Sequence, residues 1–104
     1  MAQKSLDGKV LESSVVVAVG EQISSDLGGE AVILNLKTGV YHGLNQVGTQ
    51  IWNLIQQPQH VEKIKQVLLQ EYEVEAEVCM SDLLELLNNL KTTGLVEVRD
   101  ETAT

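Results

Sequence analysis

The chain has 104 residues, 43% hydrophobic and 21% charged, with 7 basic against 15 acidic side chains and a formal net charge of −8. That length suits one domain able to bury roughly two thirds of its unfolded surface. With Trp52, Tyr41 and Tyr72 as its aromatics and no Phe, its core must be aliphatic. An acidic balance, pI near 4.5, argues against nucleic acid and anionic membrane surfaces, which require a basic face.

Residues 1–14 are mixed and polar, and read as a loose, flexible N-terminal arm. Val15–Val19 is β-branched and continuous, which suits a short strand or extended segment lying on the core. A weakly alternating strand is expected at about 22–27, and Gly28-Gly29 supplies a turn. Two apolar runs follow, Ala31–Leu36 and Val40–Leu44, separated by Lys37-Thr38-Gly39. A three-residue connection ending in Gly suits a hairpin whose last loop residue needs positive φ. Together the three segments form an antiparallel meander.

Asn45 closes the third strand of the meander and can cap a helix, in which Val47, Ile51, Leu54 and Ile55 recur at helical spacing beside Trp52. Pro58 stops that helix. A second helix is predicted over about 60–72, with Val61, Ile64, Val67, Leu68 and Tyr72 on its apolar side. Val74 then reads as a plug into the core. A third helix is predicted over about 76–93, its stripe Met80, Leu83, Leu87 and Leu90 ending at Gly94, where a left-handed cap belongs. Leu84 and Leu86 flank that stripe, so more of this helix is apolar than one core contact demands. Leu95–Val98 reads as a short extended end, and residues 99–104 as a fraying tail. The fold class is α+β: a three-stranded antiparallel sheet followed by three helices, shaped like a winged helix-turn-helix.

Chemistry is hard to find along this chain. His42 and His60 fall on different elements and outside any metal-ligand spacing, and the glycines form neither a dinucleotide fingerprint nor a phosphate loop. Cys79, the single cysteine, reads as a small core hydrophobe; it allows no internal disulfide and fits a reducing, cytoplasmic setting. No secretory or membrane-spanning pattern is expected. The acidic run Glu71, Glu73, Glu75 and Glu77, with Asp82 and Glu85, can steer a basic partner, but such runs more often serve as solvated faces. The reading is therefore a protein without catalytic residues, metal or cofactor.

The sequence does offer an edge. The segment 40–44 lacks the charge, proline or cover that normally blunts an exposed strand. Beside it, the surplus flank of the third helix (Leu86 or Leu84, with Cys79) can form a cleft wall. Edge and wall together suit strand addition by a peptide. Two alternatives stay open on the residues alone: residues 15–19 can cover the edge, and the flank can be ordinary core.

The ordered set Gly29-Glu30-Ala31-Val32-Ile33-Leu34-Asn35-Leu36, Gly39-Val40-Tyr41, Gly43-Leu44-Asn45, Ile51-Trp52, Glu71-Tyr72, Asp82-Leu83-Leu84 and Gly94-Leu95-Val96 resembles the PqqD family over roughly residues 15–98. The resemblance implies a RiPP recognition element: a non-catalytic domain that binds the leader of a ribosomally made precursor peptide as a strand added beside the third strand and against the third helix. Carried over by position, the groove would use Val40, Tyr41, His42, Gly43 and Leu44 from the strand. The helix would contribute Asp82, Leu83, Leu86 and Asn89, with Cys79 at the margin, unless a turn of the helix puts Leu84 in place of Leu86. The implied partners are a precursor peptide and a maturation enzyme such as a leader protease, a cyclase or a radical SAM protein. The Tyr-x-Gly-Leu-Asn and Ile-Trp wording is nearest the lasso-peptide group. An open edge can also pair with a second copy of the chain, or hold an enzyme directly as an adaptor.

Overall fold

A computed structural model describes residues 9–99. Its elements are β1 (Val15–Ala18), β2 (Gln22–Asp26), β3 (Ala31–Asn35), β4 (Val40–Gly43), α1 (Gln46–Leu54), β5 (Gln59–His60), α2 (Val61–Glu71), α3 (Ala76–Thr92) and β6 (Val96–Val98). The α+β class and the winged-helix-like arrangement of meander and three helices hold, but the described residues form two three-stranded sheets rather than one. The second sheet has order β5-β1-β6, all antiparallel. Its centre is β1, which explains the continuous Val15, Val16 and Val17: all three are buried, so no alternation is required of them. Two-residue β5 and three-residue β6 are its short edges.

The meander β2-β3-β4 forms the other sheet. In β3, Ala31, Ile33 and Asn35 face inward and are buried, while Val32 and Leu34 lie on the outer face. The register pairs Ile23 with Leu34 and Leu34 with Tyr41. An apolar row thus crosses the outside of the sheet, with Ile23 and Tyr41 exposed. The β3–β4 connection begins one residue earlier than the sequence suggests. Asn35 ends β3 because its side-chain oxygen accepts from the N–H groups of Lys37 and Thr38, at 2.9 and 3.3 Å, and folds the chain back. Gly39 takes φ +73° to close the turn. The Asn35 amide then donates to Thr93 C=O at 2.8 Å, tying the turn to the end of α3.

Ile33, Ile55, Ile64, Leu83, Leu87, Leu90 and Leu95 are among the fully buried side chains of one aliphatic core. Burial of each contributes about 1.5–3 kcal/mol. Asn45 caps α1 as expected, accepting from Gly48 N–H at 2.8 Å. Gly94 adopts φ +84° after α3, also as expected. Val74 does not plug the core; it is 39% exposed at the α2–α3 link.

The N-terminal stretch drawn as a loose arm to residue 14 contains a core residue. Val10 is 2% exposed, its N–H donates to Asn88 Oδ1 at 2.8 Å, and its C=O accepts from Asn88 Nδ2 at 3.3 Å. At the other end Arg99 N–H still donates to Val15 C=O. The remainder of the arm, 1–8, and of the tail, 100–104, lies outside the described residues.

Candidate functional site

Among the described residues, β4 is paired on the β3 side alone. β1, which could have covered it, is committed to β5 and β6. The main-chain groups on the free side follow from the ladder. Leu44 N–H donates to Ala31 C=O at 2.8 Å, so alternation along an antiparallel pair turns the groups of His42 toward β3 and those of Tyr41 and Gly43 away from it. The open edge therefore presents the N–H and C=O of Tyr41 and Gly43. Gly43 has no side chain, and nothing lies within 4 Å of where its Cβ would stand, so another chain can approach it closely.

Alongside the C-terminal end of β4 runs a groove of about 510 Å³. Gly43 and Leu44 bound its sheet end. Cys79, Asp82, Leu83, Leu86 and Asn89 line it along α3. Val47 and Ile51 of α1, with Leu68 and Tyr72 from the α2 side, close it below. On α3 the wall of the groove is Cys79, Asp82, Leu86 and Asn89, steps of three and four that keep them on one side of a helix. Leu86 rather than Leu84 borders the groove; Leu84 packs on the core away from it. Three of the expected residues are not in the groove. Val40 and Tyr41 are exposed on the strand, and His42 points inward beside Ile33, where its Nε2 is buried with no hydrogen-bond partner among the described residues.

Other residues that shape the site carry no motif. Thr49 is buried, and its hydroxyl accepts from Ala31 N–H at 2.8 Å while facing Leu44 C=O at 3.4 Å. That one side chain pins the start of β3 and the end of β4 to α1. Tyr72 donates its hydroxyl to Gln50 Oε1 at 3.0 Å, which fixes the ring at the mouth of the groove. Gly48 lets the chain pack closely here: a Cβ would stand 3.3 Å from both Asn45 Oδ1 and Leu44 Cβ, a tight contact that those side chains would have to yield to. A threonine one turn into a capped helix is the single sequence cue that could have pointed to the first of these.

Cys79 is 7% exposed, and burial pushes its thiol up, with Lys65 pulling it down and Asp82 adding to the rise. The free thiol is therefore a neutral, apolar part of the wall. Among the described residues no three His, Cys, Asp or Glu side chains gather to hold a metal ion, and no helix is long and apolar enough to cross a membrane.

The family model described as "Coenzyme PQQ synthesis protein D (PqqD)" matches residues 30–96, which span β3 through α3, the first residue of β6 and the whole groove. A solved structure of TbiB1 in complex with the TbiA(beta) leader peptide is similar at a TM-score of 0.73 and 30% sequence identity, covering 82% of this chain and 99% of that one. No curated protein matches the sequence significantly.

Proposed function

The chain belongs to the PqqD family, and from that premise we propose that it is a non-catalytic RiPP recognition element that captures a precursor's leader as a strand added to β4. The observation that carries this reading is the juxtaposition of an unpaired strand edge with an apolar groove. Main-chain bonds to Tyr41 and Gly43 supply docking, and side chains of the added strand that fall over α3 enter the groove between Leu44 and Leu86. Residues 15–98 form the recognition domain in this reading, together with Val10, which the core also requires. The similarity to TbiB1, whose structure holds a leader peptide, supports the same use of the fold.

The bound leader is then presented to a maturation enzyme in the cytoplasm. The Tyr41-His42-Gly43-Leu44-Asn45 and Ile51-Trp52 wording favours a lasso-peptide pathway with a leader protease and a cyclase. A radical SAM partner is the runner-up, and the genes on either side of this one discriminate between them. The test of capture itself is a titration of labelled leader, first the TbiA(beta) leader and then that of any neighbouring precursor. Saturable binding that a mid-leader proline abolishes fits strand addition, because proline removes a ladder N–H. Binding indifferent to the proline refutes it. Co-purification with an enzyme in the absence of precursor would mark the edge as an adaptor surface, and dimerisation that leader suppresses would show the edge pairing with its own copy.

A further inference from the structure

The groove has a sign as well as a shape. Its lining includes two carboxylates, Asp82 and Glu85, and no Lys or Arg. They stand three residues apart on α3, hence side by side one turn along the wall that also carries Leu86. Among the described residues neither carboxylate has an ion-pair partner; the two pairs present are Lys65–Glu62 and Arg99–Glu97. Lys65, whose charge reaches Cys79, is held by Glu62 at 3.4 Å and does not line the groove. At the end of the groove formed by Tyr72 and Val74, the exposed Glu71, Glu73 and Glu75 extend the negative rim.

We infer that Asp82 and Glu85 are specificity-determining residues of the groove, selecting a strand-forming peptide that carries Lys or Arg beside its apolar anchor. The inference rests on the capture reading above and deepens it. Asp82 and Glu85 are themselves exposed, and the apolar wall beside them focuses their field on a charge bound in the groove. The apolar part of the groove takes an aliphatic or aromatic side chain of the added strand. The next side chain on the same face of that strand lies two residues away, about 6–7 Å along it, which brings it alongside the carboxylates. A cation there is attracted, and a carboxylate there is repelled by both Asp82 and Glu85.

The test uses the full chain and a set of fluorescein-labelled designed peptides, alternating Thr and Val around a central Leu. The position two residues from the Leu is Lys, Gln or Glu, and a further member carries a central Pro. Fluorescence polarisation should rank Lys above Gln above Glu, with about a tenfold span between the extremes that narrows in high salt. In the double variant Asp82→Lys/Glu85→Lys the order should invert. Glu21→Lys, at an exposed position that does not line the groove, should leave it intact, which separates a local effect from net charge. Equal, proline-sensitive binding of all three peptides, or the same loss of ranking with Glu21→Lys, overturns the charge selection and leaves strand capture standing. Absence of saturable binding, or binding that ignores the central proline, overturns both.

Discussion

Thr49→Val removes one oxygen from the joint between sheet and helix and replaces it with a methyl group of nearly the same volume, so no cavity opens. The Ala31 N–H then loses its acceptor at 2.8 Å in a position that is 4% exposed, and the Leu44 C=O loses a long contact at 3.4 Å. A buried amide left unsatisfied costs about 1–3 kcal/mol. At roughly 4–8 °C per kcal/mol for a domain of this size, the melting temperature should fall by about 5–20 °C. Thr49→Ser keeps the hydroxyl and loses one methyl group, at about 1 kcal/mol, so it should melt between the two. Thermal unfolding followed by circular dichroism reads all three. A Val variant as stable as the parent, or a Ser variant that is the worse of the two, would refute the role of the hydroxyl as the pin between β3, β4 and α1.

Leu87, fully buried in the core, and Leu86, on the groove wall, are adjacent and should behave differently. Leu87→Ala should lose about 2–5 kcal/mol of stability, whereas Leu86→Asp should keep a cooperative melt and lose leader binding; the reverse pattern would mean that α3 is rotated. Gly20→Ala should destabilise by about 2 kcal/mol or more, because Gly20 has φ +90° and a Cβ would stand 2.7 Å from the Gly94 carbonyl oxygen; an unchanged melt would contradict that contact. Cys79, its thiol pushed up by burial, should react with iodoacetamide more slowly than free glutathione at neutral pH and faster as the solution turns alkaline. Since the folded thiol titrates above the unfolded one, its contribution to stability is full below the unfolded value and is lost as pH rises through the folded value. Rapid alkylation at neutral pH would show that the wall is open there.

Local signals carried most of the fold. Gly39 and Gly94 marked left-handed positions, Asn45 marked a cap, Pro58 marked a stop, and the helical stripes chose their buried faces. Long-range pairings left no such mark. β5 is two residues long and exists because Val15 and Val16 lie beside it. Val10 is held by Asn88, 78 positions away, and nothing around Val10 distinguishes it from an arm. The open strand edge was legible because it is a local property of residues 40–44, although the groove itself takes in Gly43 and Leu44 and not Val40, Tyr41 or His42. The helix side was less so, since Leu84 and Leu86 are equivalent by spacing and only the packing of α3 against α2 and β6 decides between them. Thr49 escaped notice because its partners, Ala31 and Leu44, meet only after the meander folds.

In the proposed mode of binding, a leader docks through the outward main-chain groups of β4. Amide hydrogen exchange, followed residue by residue by NMR with and without saturating leader peptide, tests it most directly. The N–H groups of Tyr41 and Gly43 should gain protection on binding, while those of His42 and Leu44, already turned toward β3, should change little. Saturating peptide that leaves Tyr41 and Gly43 exchanging at their free rate would contradict it.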